Sequence, residues 1–272
     1  MKRIAFVNEK GGTCKTTLAV NLAAHFARAG RRVLLVDLDT QGHAGKSLGI
    51  DAREARPNVY DWLLDPELPV DRVARPTAIE GLDLIPANKA LAEFPLAVAY
   101  DRERALRLDR RLDEGQERWD YAFIDAPPSA GLLVTTAILA ATDLVVPVAT
   151  TYLALDGAAE IARTVAELHQ EHGRDHPRIS MVVPTLYRRT AIGNEVIRKL
   201  HAHFPDVVAQ TVLSQSVHLD ECQSYGETIF EYAPRSKGAA MMRAIGEELL
   251  ARVEGVTRGV ARSAHVHAPA QA

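Results

Sequence analysis

Cysteine is almost absent. The 272 residues contain two, Cys14 and Cys222, too few and too far apart for a disulfide framework or a zinc module, and in keeping with a reducing compartment. A strong net charge is lacking too. A formal charge of −3 gives no global attraction to phosphate polymers, so any contact with nucleic acid has to come from a local patch. No apolar run approaches the roughly 18 to 20 residues that a membrane-spanning helix needs. Met1-Lys2-Arg3 leads directly into an apolar stretch without the layout of a signal peptide. Together these features predict a cytoplasmic chain with no membrane anchor. What is present is an ordinary globular composition, 47% apolar and 25% charged, enough for one well-buried core.

Short apolar runs at residues 4–8, 33–37, 121–125, 144–148 and 179–184 read as buried strands. Segments of helical period at 15–29, 129–141, 155–172, 191–203 and 236–253 alternate with them, and the charged stretch 100–115 reads as a more exposed segment. This order predicts an α/β fold: a single doubly wound, mostly parallel sheet flanked by helices, with ligands bound at the carboxyl ends of the strands. One domain spans residues 1–253. Residues 254–272 lose apolar periodicity and read as a disordered tail, in which His265 and His267 are solvated rather than metal ligands.

The first strand leads into Asn8-Glu9-Lys10-Gly11-Gly12-Thr13-Cys14-Lys15-Thr16-Thr17 and then directly into a helix. Strand, glycine turn, Lys-Thr and helix is the order a phosphate loop requires. Backbone N–H groups at the helix start face the anion, Lys15 adds a compact charge, and the Thr16 hydroxyl is placed for Mg²⁺. A tight strand-to-helix turn with two surface lysines would explain the loop alone, but not the carboxylates downstream. The second strand ends in Val36-Asp37-Leu38-Asp39-Thr40-Gln41-Gly42, where alternation places both aspartates on one side of the strand end. Helix capping accounts for one of them and not for the run. Tyr121-Ala122-Phe123-Ile124-Asp125 is followed by Ala126-Pro127-Pro128-Ser129, which puts Asp125 where a carboxylate holds Mg²⁺ through water and makes the next segment stiff.

The Lys10-Gly11-Gly12 start, with Glu9 and Cys14 where the strict phosphate-loop pattern has glycine, resembles the deviant Walker A loop of the superfamily of ParA, MinD and the nitrogenase iron protein. Correspondence with ParA/Soj proteins runs from Ile4 to about Leu250 and includes Leu155-Asp156-Gly157, Ser224-Tyr225-Gly226 and Ser236-Lys237-Gly238-Ala239. The resemblance implies ATP bound by Lys10, Gly11, Gly12, Thr13, Cys14, Lys15, Thr16 and Thr17, with the adenine near Pro184 and the stretch after Leu213. It implies Mg²⁺ held by Thr16, Asp37 and Asp125, with Lys10, Lys15 and Asp39 as the catalytic set. In such a site Lys10 reaches the nucleotide of the other subunit of a sandwich homodimer, and Asp39 positions the attacking water. Cys14 departs from the family's glycine; if the position needs a positive φ, its Cβ costs about 1 to 2 kcal/mol. A small tolerated side chain is the simpler reading than a redox switch, because phosphates oppose thiolate formation.

ParA/Soj proteins bind DNA without sequence preference as ATP dimers, which implies contacts from Arg188, Arg189, Arg198, Lys199 and His218 and association with the nucleoid. A later arginine pair of the family is replaced here by Gln215 and His218. From residue 186 to 243 there are seven basic and six acidic residues, so a solvated mixed surface is the competing reading. The resemblance also implies a ParB-like stimulating partner, although only Lys2 and Arg3 stand where relatives carry a basic leader. The expected function is a slow ATPase switch that partitions or positions chromosome, plasmid or protein cargo. A MinD-like regulator on a membrane or protein scaffold is the alternative, and its C-terminal amphipathic basic helix has no counterpart in the last twenty residues. An iron-protein-like carrier would need paired cysteines. The G-x-G-x-x-G spacing of dinucleotide-binding enzymes is absent.

Overall fold

The computed structural model describes residues 1–255 apart from 52, 54, 152 and 153, and leaves the side chains of residues 154 and 155 undescribed. The tail from residue 256, with His265 and His267, lies outside the described residues. Seven strands form one sheet: β1 (Lys2–Phe6), β2 (Val33–Asp37), β3 (Arg75–Pro76), β4 (Leu82–Ile85), β5 (Tyr121–Asp125), β6 (Asp143–Ala149) and β7 (Arg178–Thr185), in the order β3-β4-β2-β5-β1-β6-β7. All pairings are parallel except the short β3·β4 edge.

Eleven helices connect or follow the strands among the described residues: α1 (Lys15–Arg28), α2 (His43–Ser47), α3 (Val59–Leu64), α4 (Phe94–Ala97), α5 (Arg107–Glu114), α6 (Leu132–Ala140), α7 (Ala154–His172), α8 (Ala191–His203), α9 (Val217–Tyr225), α10 (Ile229–Tyr232) and α11 (Lys237–Glu254). Strand alternation divides the core into two layers. Ala5, Val7, Leu34, Val36, Ala122 and Ile124 face the layer of α3, α5, α6, α7 and α8. Ile4, Phe6, Val33, Leu35 and Phe123 face α1, α9, α10 and α11. Each fully buried Leu or Phe contributes about 1.5 to 3 kcal/mol. Phe26 of α1 adds edge-on contacts to Tyr121 at 4.9 Å and Phe123 at 5.0 Å.

Helix ends follow local chemistry. Ser236 Oγ accepts from Ala239 N (3.1 Å) at the start of α11, and Gly255 (φ 72°) closes it. Thr190 Oγ1 accepts from Gly193 N (3.1 Å) at the start of α8. His25 of α1 packs so closely on α11 that a Cβ at Gly246 would lie 2.4 Å from its ring.

Three expectations need correction. The charged stretch 100–115 contains α5, whose Leu108, Arg111 and Leu112 are buried: the Arg111 guanidinium lies over the Trp62 ring and donates to Pro66 O and Glu114, so a charged side chain here belongs to the core. The sixth helix starts at Leu132 rather than 129, because Gly131 at φ 148° lies outside helical geometry. The strand that ends in Asp125 is fifth in the chain, since β3 and β4 precede it.

Candidate nucleotide site

The carboxyl ends of β1, β2 and β5 meet at one point. Phe6 and Asp37 both lie in register with Asp125, so the loop after β1 emerges beside two aspartates. Asn8 fixes the loop's exit: its Nδ2 donates to Pro147 O (2.7 Å) on β6, and its Oδ1 accepts from Lys10 N (2.9 Å). On the far side, Thr185 Oγ1 donates to Thr13 O (3.1 Å). Thus β6 and β7 hold both limbs of the turn. Gly12 (φ 69°) and Cys14 (φ 68°) are left-handed, and Cys14 is the N-cap of α1 with no side-chain capping bond. The conditional cost attached to Cys14 therefore applies. Burial is the main influence on its thiol, which is pushed up to about 11, so it stays protonated near neutral pH.

Lys15 is buried, and its Nζ donates to Lys10 O (3.1 Å). Burial pulls its pKa down, while the carboxylates of Asp125 and Asp39 act in the opposite direction. The Lys10 stem runs past Gly157 at the start of α7, where an added Cβ would lie 3.7 Å from its Cγ and Cδ. Thr17 Oγ1 accepts from Gln223 Nε2 (2.9 Å), and Asn21 Oδ1 accepts from Ile229 N (2.8 Å), which ties α1 to α9 and α10.

Asp37 is fully buried and has two partners: Oδ1 accepts from Asp39 N (2.8 Å) and Oδ2 from Ala44 N (3.2 Å). Burial, with Asp125 close by, raises its pKa well above the usual carboxylate range. Asp39 is 8% exposed, and its Oδ1 accepts from Gln41 N (3.0 Å). Asp125 is different. Both of its carboxylate oxygens are buried, and neither meets full hydrogen-bond geometry with a partner; burial first raises its pKa to about 7, while the Thr16 hydroxyl, its nearest approach to a donor, acts against that. An orphaned buried carboxylate of this kind is stabilised by a cation, and the hard oxygen set of Asp125, Asp37 and Thr16 fits Mg²⁺.

The structure thus gathers Lys10 to Thr17, Asp37, Asp39 and Asp125 at one point, with buried Pro184 one residue before Thr185. Sequence reasoning missed Asn8, Thr185 and Gln223. Only Asn8 had a signal, a polar residue directly between the strand and the lysine-glycine turn. The residues expected to contact DNA stand elsewhere, all exposed. Arg188 Nε donates to Gln215 Oε1 (2.7 Å), and Lys199 pairs with Glu195 (3.0 Å). His218 lies 6.5 Å from the Tyr232 ring.

Residues 1–178 match the family model described as an AAA domain. The chain is 38% identical over 250 residues to the sporulation initiation inhibitor protein Soj of Bacillus subtilis, covering 92% of this chain and 98% of that one. It is 41% identical over 257 residues to the chromosome-partitioning ATPase Soj of Thermus thermophilus, covering 93% and 97%. Among solved structures, cobyrinic acid a,c-diamide synthase from Mycobacterium smegmatis with bound ADP and magnesium aligns with a TM-score of 0.77 at 30% identity, over 94% of this chain and 97% of that one.

Proposed function

Because this chain belongs to the ParA/Soj family of partitioning ATPases, we propose that it is an ATP-driven switch: ATP and Mg²⁺ close a homodimer that binds DNA without sequence preference, and hydrolysis releases it. The observation that carries the reading is Asp125, a buried carboxylate with no partner in full hydrogen-bond geometry, in register with Asp37 and coupled electrostatically to Lys15. A buried carboxylate at Asp125 suits a cation and a buried ammonium at Lys15 suits an anion, and Mg²⁺ with a nucleotide phosphate chain would answer both.

Backbone N–H groups from Gly11 to Thr17 cradle the phosphates, and Lys15 contacts the outer ones. A phosphate beside Lys15 offsets the burial that disfavours its charge. Thr16, Asp37 and Asp125 are the residues that would hold Mg²⁺, which when bound would supply neutralisation of the phosphate charge. Asp39 keeps one carboxylate oxygen without a hydrogen bond among the described residues and orients the water that attacks the γ-phosphorus. The bond from that phosphorus to the β–γ bridging oxygen then breaks, leaving ADP and phosphate. Pro184 and the chain after Leu213 flank the adenine. In the dimer Lys10 leaves Gly157 and contacts the partner's nucleotide. Arg188, Arg189, Arg198, Lys199 and His218 supply the DNA contacts, and a ParB-like protein stimulates turnover.

ATP turnover and light scattering test the reading. Lys15→Ala should bind no ATP, whereas Asp39→Ala should form a stable ATP dimer and hydrolyse at least 10²-fold more slowly. Undiminished turnover by Asp39→Ala would remove Asp39 from the role assigned to it.

A further inference from the structure

Next to the carboxylate loop lies a cleft of about 980 Å³ that the ATPase reading does not use. Its size is at the upper end of ordinary small-ligand sites, roughly 300 to 1,000 Å³. Three chain segments besides the carboxylate loop line it: Gly49 to Asp51 with Arg53 and Arg56, residues 87–90 after β4, and Ser224 to Gly226 at the carboxyl end of α9. The lining is cationic. Lys46 and Lys89 are exposed and make no ion pair among the described residues. Arg56 is 64% exposed at its side chain and shared with Asp61 at 3.0 Å. Among the described residues, the one carboxylate in the lining, Asp51, is already engaged by Arg53 at 3.1 Å. Like charges left facing an open cleft attract a polyanion.

An aromatic surface completes it. Tyr225 is 69% exposed, lines the cleft, and is stacked on Tyr232 with ring centroids 5.2 Å apart and planes 19° from parallel. The stack fixes the ring and leaves its other side open, and such a ring accepts a planar base by stacking.

We propose that this cleft is a second ligand site, for a phosphate-bearing planar heterocycle of the nucleotide class, with Lys46, Lys89 and Arg56 on the phosphates and Tyr225 under the base. Its wall is continuous with the ATPase centre. Gln41 lines the cleft and donates its backbone N–H to Asp39 Oδ1, and Ala44, two residues before Lys46, donates to Asp37 Oδ2. A ligand held by Lys46 therefore fastens the loop that orders both aspartates, which makes the cleft an effector site.

Equilibrium dialysis of the full chain carrying Lys15→Ala, with radiolabelled GTP and separately with inorganic triphosphate, tests the proposal. Both probes should bind, and adding Lys46→Ala with Lys89→Ala should weaken both at least 10-fold. Adding Tyr225→Ala instead should weaken GTP about 5-fold or more and leave triphosphate unchanged. All three cleft positions are exposed, and circular dichroism confirms that each variant is folded. Absence of binding to Lys15→Ala, or binding indifferent to the lysine pair, overturns the proposal. Triphosphate and GTP equally insensitive to Tyr225→Ala, both displaced by polyglutamate, also overturns it and assigns the cleft to an acidic peptide.

Discussion

Cys14 holds a left-handed backbone at φ 68°, where a Cβ crowds the following carbonyl by about 1 to 2 kcal/mol. Glycine removes that crowding but adds freedom to the unfolded chain. The net expectation is that Cys14→Gly raises stability by about 0.5 to 1 kcal/mol, read as a higher urea midpoint; a lower midpoint would show that packing of the thiol outweighs the strain. His25 supplies a pH test. Burial lowers its pKa below 6.5, and Arg243 and Arg28 act in the same direction against Glu247. Because the folded state disfavours the charged ring, protons bind more readily to the unfolded chain as pH falls below about 6.5, so stability contributed by neutral His25 is present above that value and lost beneath it. The urea midpoint of the native chain should fall further between pH 7.5 and 5.5 than that of His25→Gln. Equal falls in the two proteins would remove His25 as the source.

At the scale of elements, the segments around the site meet backbone to backbone. Gly49, after α2, and Gly226, after α9, both have positive φ, and a Cβ on Gly226 would lie 2.7 Å from the Gly49 Cα. Gly226→Ala combines a left-handed penalty with overpacking and should cost about 2 to 4 kcal/mol, measured by chemical denaturation. A loss under about 1 kcal/mol would mean that the two segments separate freely. Sequence patterns disclosed the strands that carry an uninterrupted apolar run, such as Val33–Val36 in β2 and Leu144–Val148 in β6, and missed β4, where Asp83 interrupts a four-residue strand and instead accepts from Trp119 Nε1 (2.9 Å). The Asn58 to Asp61 capping box of α3 was written in the sequence and passed over. Short α9 and α10 carry too few turns for a period to show. The phosphate loop and its aspartates were legible because their chemistry is local in the chain. The threads through Thr185 and Gln223 were not, since each joins residues far apart in sequence.

For the whole molecule, the switch reading makes mass and salt dependence the informative quantities. Asp39→Ala with ATP should scatter light as twice the 29.7 kDa chain, and with ADP as a single chain; a single-chain mass in ATP would count against the dimer. Bound to a random-sequence duplex, the ATP form should lose affinity steeply with salt. Arg189→Ala should lower the slope of log affinity against log salt by about 1. An unchanged slope would move the DNA face away from Arg189. No helix of the described residues is long and apolar enough to cross a membrane.

The sheet order also governs when this protein becomes competent during its own synthesis. Among the described residues the first strand pairs with β5 and β6, and its following loop is held by Pro147 and Thr185. A ribosome must therefore translate beyond residue 185 before the turn written at residues 10–17 acquires its shape. Until β5 and β6 have also been made, the nascent chain exposes an apolar first strand without its sheet neighbours. Nucleotide capture therefore follows the synthesis of Thr185, long after the turn that carries its signature has been made.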